Sequence, residues 1–377
     1  MKKVIIFVVI VAAVFGGLAY IFNSGVLNPD EKLYVAAEGD GKIVVVDPIK
    51  RSNIKDIDLS IDHEGGKLSF SPHNIQVAPD GQSVWVTANV AGHLGHAQGF
   101  VNRTYAHGGE EEGVLSEPEE VLVINPKNDR IVQRIKIATG AHLAHVVLTP
   151  DSKYAYVTGQ TNGAIYKINA STFALEKTIA VPQGMEPHGI RVAPDGSVAY
   201  IAMFAGKAIG ILDLNTDTLS LTPVDGQVVQ TGITPDGITV MASLYDTKKL
   251  AMIHKGSTEV EYIALPAEAR GPVQMYPTPD SRFVYLADQG YYSNQPSSEY
   301  VYKIDLVEER VVKSIKAGRG PHGIVVSHDG KFVYVTNLLS NDISIIDTVT
   351  DEQVAQIFAG KEPNGISLWY KSGAGTP

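Results

Sequence analysis

A frame of just over forty residues returns along most of this chain, and a period of that length leaves few folds open. It reads HGIVVSHDGKFVYVTN from His322, HNIQVAPDGQSVWVT from His73, HVVLTPDSKYAYVT from His145 and HGIRVAPDGSVAYIA from His188. Weaker copies are QTGITPDGITVMAS from Gln230 and QMYPTPDSRFVYLA from Gln274. The turn prolines Pro150, Pro194, Pro235 and Pro279 follow one another at 44, 41 and 44 residues. That is the length of one four-stranded propeller blade.

Each copy parses alike. A short apolar strand runs into a turn, Pro-Asp-Gly or His-Asp-Gly in four copies and Pro-Asp-Ser in two, where Asp caps its own backbone and Gly, where present, supplies positive φ. A strand of period two follows, with Phe332, Tyr334 and Thr336 on one face, then strands over 343–347 and 353–359. The last stretch, 364–369, supplies only an innermost strand. Residues 32–36, 42–47 and 53–59 supply the other three. The two ends therefore make one composite blade, which closes the ring and hides its edges. Six internal copies and this composite predict an all-β, seven-bladed propeller over residues 31–371.

The Tyr334-Val335-Thr336-Asn337 stretch and its copies resemble the YVTN β-propeller repeat family, over roughly residues 31–371. Members include archaeal surface-layer proteins, exported bacterial propellers, lactonase-type propellers and the propeller domains of nitrous oxide and haem nitrite reductases. The resemblance implies the fold and says little of chemistry, because propellers host many unrelated functions.

Before the repeats, Lys2 and Lys3 precede an uncharged apolar run from Val4 to Phe22. Its length matches a bilayer core. With the lysines on the cytoplasmic side, it predicts a membrane anchor in residues 1–24 and a propeller facing the periplasm or cell exterior. Cleavage after Gly17 and Ala19 would instead release a secreted protein. The chain has no cysteine, which excludes disulfides, thiolate-bound zinc, iron–sulfur clusters and covalent c-type haem. A net charge of −10 without a basic block argues against nucleic acid as a partner.

Propeller topology converts sequence position into location. Innermost strands start at one face, here termed the entry face, and the Pro-Asp turns lie at the other. Of the 11 histidines, His63, His73, His93, His96, His107, His142, His145, His188 and His322 fall on the entry face by this rule. His73, His145, His188 and His322 stand around the channel mouth, where the other blades place Gln230, Gln274 and Asn364. Imidazole suits copper and other transition metals, so His73, His145, His188 and His322 are candidate ligands. The same rings also suit hydrogen bonds to neighbouring loops. His145 lies five residues before its turn proline and His188 six, which leaves open whether His145 or Ala144 takes the ring position.

Residues 88–120 form an insertion carrying His93, His96, His107 and the run Glu110-Glu111-Glu112. Loops of this length in compact domains are functional or unstructured, so it reads either as a lid supplying ligands or as a mobile polar loop. A second loop, 288–299, brings Tyr291 and Tyr292 to the same face. Arg270 and Arg319 are candidate clamps for an anionic ligand, with Glu186 and Asp246 as supporting acids. Met203, Phe204 and Tyr245 are expected to form an apolar wall.

Three functions follow. The first is a membrane-anchored module binding a protein or small-molecule ligand through its entry face. The second is a transition-metal or tetrapyrrole protein of a redox pathway. The third is a lactonase-type hydrolase, since such propellers have no linear signature. The sequence leaves enzymatic activity undecided: it contains neither a Gly-x-Ser-x-Gly elbow nor a His-Glu-x-x-His helix.

Overall fold

A computed structural model describes residues 30–91, 117–292 and 294–372. The anchor candidate at 4–22, and His93, His96 and His107 of the insertion, lie outside these residues. Among the described residues no helix is long and apolar enough to cross a membrane. The chain divides at residue 30, and the unit from Glu31 onward holds every described strand.

That unit contains seven four-stranded antiparallel sheets. Blade 1 pairs Glu31–Ala37, Lys42–Asp47 and Ser52–Asp58 with the C-terminal strand Pro363–Tyr370, which is innermost. The composite blade expected from the chain ends is therefore present. The innermost strands of blades 2 to 7 are Phe70–Val77, Leu143–Leu148, Pro187–Val192, Val228–Ile233, Pro272–Pro277 and Pro321–Val326. Each touches the next, and Pro321–Val326 touches Pro363–Tyr370, which in turn touches Phe70–Val77. The ring is closed. A small hairpin, Ile61–His63 with Gly66–Leu68, joins blades 1 and 2.

Burial follows strand order. The YVTN strand Phe332–Asn337 and its innermost neighbour are almost wholly buried, whereas the outermost strand Leu175–Ala180 shows five of six residues to solvent. Seven apolar clusters fill the seven joints between adjacent blades, such as Val147, Tyr156, Ile190 and Ile201 between blades 3 and 4. Met203 lies in that same cluster rather than in the channel wall. Burial of apolar area between repeats is what a single repeat cannot achieve alone.

Every innermost strand carries a β-bulge at the same place. Two of its residues oppose one residue of the second strand. The pairs are His73-Asn74, Ala144-His145, His188-Gly189, Val229-Gln230, Val273-Gln274, His322-Gly323 and Asn364-Gly365. The opposing residue is the threonine of the repeat motif or its counterpart. In four blades its hydroxyl bridges neighbouring blades. Thr158 Oγ1 accepts the His145 N–H (3.0 Å) and donates to His188 O (2.6 Å). Thr336 does the same between Gly323 N–H (2.7 Å) and Asn364 O (2.7 Å). Thr87 and Ser243 repeat the bridge. Blades 1, 4 and 6 have Ala36, Ala202 and Ala287 there and cannot make it.

Candidate functional site

The bulges decide which side chains line the channel. In blades 2, 4, 7 and 1 the polar ring residue is the first of its pair (His73, His188, His322, Asn364). In blades 3, 5 and 6 it is the second (His145, Gln230, Gln274). The five- and six-residue spacings to the turn are thus two ways of filling one bulge, and His145, not Ala144, is the ring residue. Close fit enforces the choice: a Cβ on Gly189 would collide with the Gln230 amide.

His73, His145 and His188 meet. One nitrogen from each lies within 4.8 Å of the others, and all three rings are buried. Ring centroids are 5.0 Å apart for His145 and His188, 5.7 Å for His73 and His188, and 5.9 Å for His73 and His145. Neither ring nitrogen of His145 has a hydrogen-bond partner. Burial foremost, with His188, His73, Arg191 and His322 adding to it, holds His145 well below the usual histidine range. Its ring is neutral, with a lone pair to offer.

His188 has its tautomer set by the backbone. Its Nδ1 lies 2.8 Å from Val229 O, so Nδ1–H donates and Nε2 carries the lone pair. A threonine at position 202 would reach this carbonyl in the usual bridge; with Ala202 there, the histidine takes it instead. A backbone carbonyl on the far nitrogen is the common support of a metal-ligating imidazole. At His73, Nδ1 lies 3.1 Å from Asn364 Nδ2 and 3.5 Å from Glu38 Oε1, while Asn364 Nδ2 donates to Glu38 Oε2 (2.8 Å). Glu38, on a short 3-10 turn after the first strand, is buried and supplies a negative charge beside the cluster. This turn joins the second and third strands of blade 1, a place where the repeat fixes no residue type, so no motif marks Glu38 in the sequence.

The remaining candidates are distributed around this centre. His322 is buried, and its Nδ1–H donates to Gln289 Oε1 (2.9 Å). His142 is half-buried at the mouth, its ring 5.6 Å from that of His73. Gln230 Oε1 accepts its neighbour Thr231 N–H (3.0 Å), and Gln274 is buried with its Nε2 unpartnered. Tyr292, from the second long loop, is buried with Phe204, Tyr245 and the inner-strand residues Val229 and Val273. Burial first, then the charge of Glu38, pushes its phenol up, which puts Tyr292 and Glu38 at the same mouth.

Arg270, Arg319 and Asp246 serve their own loops. The backbone N–H of Arg270 donates to buried Asp288 (3.0 Å), and exposed Arg319 donates from Nη2 to Leu339 O (3.1 Å). Asp246 accepts from Lys207 Nζ (2.8 Å) and Gln227 N–H (2.7 Å). Neither arginine joins the histidine ring.

A family model described as YNCE-like beta-propeller matches residues 288–372, the blade 6–7 region and the closing strand. Hydrazine synthase subunit beta of Kuenenia stuttgartiensis is 23% identical over 302 residues, covering 75% of this chain and 55% of that protein. The uncharacterized protein YncE of Salmonella typhimurium is 31% identical over 105 residues, 28% of either chain. The chain thus spans about half the length, or less, of the curated relatives it matches. Among solved structures, Kuenenia stuttgartiensis hydrazine synthase superposes with a TM-score of 0.62 at 18% identity, over 81% of this chain and 94% of that one. A functionally unknown protein from Desulfotomaculum acetoxidans superposes with a TM-score of 0.67 at 12% identity, over 90% and 99%. Repeat, closed ring and solved structures converge: the chain is a seven-bladed β-propeller, similar to the YNCE-like propellers over residues 288–372.

Proposed function

We propose that this propeller is an exported, membrane-held binding module whose ligand site is the His73/His145/His188 cluster, and that the ligand is a transition-metal ion. One observation carries the reading. Three imidazoles are buried together with nitrogens within 4.8 Å, and His145 has no other use for either of its nitrogens. Leaving buried polar groups unsatisfied costs about 1–3 kcal/mol each. An ion bonded at about 2 Å to each nitrogen would satisfy them after small side-chain rotations. Neutral imidazoles suit copper, zinc, nickel or iron, and Glu38 balances part of the added charge. The first relative named above is a subunit, and this supports a protein partner.

Metal analysis of full-length protein from its native host tests this. The expected result is one copper, zinc, nickel or iron ion per chain, lost in His145→Ala while the fold is retained. Protein free of all four metals that also fails to take up copper or zinc in titration would refute it. Residues 4–22 would hold the chain to the cytoplasmic membrane; alkaline carbonate extraction should leave it in the membrane fraction, and complete release would refute the anchor.

A further inference from the structure

The opposite end of the channel, at the Pro-Asp turns, holds a cavity of about 240 Å³. Five turn prolines, Leu148, Ile233 and Met275 give it largely apolar walls. Into it faces Arg191, the fifth residue of strand Pro187–Val192, directly after Ile190 and two beyond the His188-Gly189 bulge pair. The guanidinium makes one hydrogen bond, from Nη1 to Ile190 O (3.0 Å). No carboxylate among the described residues forms an ion pair with it. Its charge reaches both His145 and Tyr276, and burial pushes its acidity up. Gly232, at the equivalent place in the next blade, has no side chain to cover it.

Arg191 is half-buried, and an arginine partly withdrawn from water ordinarily has a neighbouring acid as its counter-ion. Those on this face are committed elsewhere. The aspartates of the turns accept the backbone N–H two residues on, as Asp195 does from Ser197 (3.0 Å) and Asp151 from Lys153 (3.1 Å). Asp151 and Asp329 also pair with Lys153 and Lys331, both at 2.8 Å.

We infer that this cavity binds a small organic monoanion, a carboxylate with an apolar body, with Arg191 as its counter-ion. The planar fork of arginine matches a carboxylate. Arg191 is the one permanent cation lining the cavity, so a single negative charge is matched and a phosphate dianion is not. The apolar walls select a ligand with a hydrocarbon chain. The site is separate from the histidine cluster, and its test needs no metal.

Calorimetric titration of the full-length chain with hexanoate, hexanamide and inorganic phosphate decides the matter. Hexanoate should saturate a single site, with hexanamide and phosphate weaker by about tenfold or more. Arg191→Met should abolish the preference for hexanoate over hexanamide. Arg191→Lys, which keeps the charge and is the safer variant for folding, should weaken hexanoate about tenfold. The inference is overturned if hexanoate gives no binding, if the amide or phosphate binds as well, or if Arg191→Lys binds like the parent.

Discussion

Replacing Thr336 by valine isolates the bridge that the repeat motif's threonine makes between blades. Valine keeps the shape and removes only the hydroxyl. The Gly323 N–H and the Asn364 carbonyl then lose their partners, both at 2.7 Å. Both residues are buried, so water does not replace the hydroxyl. An orphaned buried group costs about 1–3 kcal/mol, and a carbonyl with a second lone pair falls at the low end. The sum is about 2–4 kcal/mol, placed at the joint where the C-terminal strand closes the ring. Thr336→Ser keeps both bonds and should cost less than about 1 kcal/mol. Denaturant midpoints for the three proteins, with hydrogen exchange at the Gly323 amide, measure this. A valine variant within about 0.5 kcal/mol of the parent would refute the reasoning, as would a serine variant equally damaged.

The buried Lys32–Asp129 pair (2.9 Å), which links blades 1 and 2, gives a second test. Asn at 129 tolerates the positive φ of 53° but leaves Lys32 charged and unmatched, so Asp129→Asn should cost about 3–5 kcal/mol; Lys32→Met in the same chain should recover much of it. A loss below about 1 kcal/mol in urea unfolding would count against this. Glu119 titrates differently from a surface acid: burial pushes its carboxyl from 4.5 up to about 7, despite N–H donors from Leu143, His142 and Ala141. The folded chain holds a proton that the unfolded chain has released, so stability should fall as pH rises from about 4.5 through about 7 and then level off, by on the order of 3 kcal/mol. Glu119→Gln should flatten that part of the pH–stability curve, and an unchanged slope would refute the assignment.

How much of this was legible beforehand divides along physical lines. The period, the turn chemistry and the split of one blade between the two chain ends are local properties, readable wherever a strand of period two meets Pro-Asp-Gly. They determined the seven blades and the ring closure, and they put His73, His145, His188 and His322 on innermost strands. They did not determine which histidines meet. Residues at 73, 145 and 188 come together only because three innermost strands converge on one axis, and alternation along a strand carries no distance across a ring. The one-residue slip at His145 looked like a break in symmetry until the bulge absorbed it. Glu38 lies in a turn between second and third strands where the repeat fixes no residue type, and Arg191 sits in a strand position that the repeat leaves unmarked. Packing alone left half-buried Arg191 without a counter-ion and buried His145 without partners, because what surrounds a side chain is a property of the whole fold rather than of its own segment.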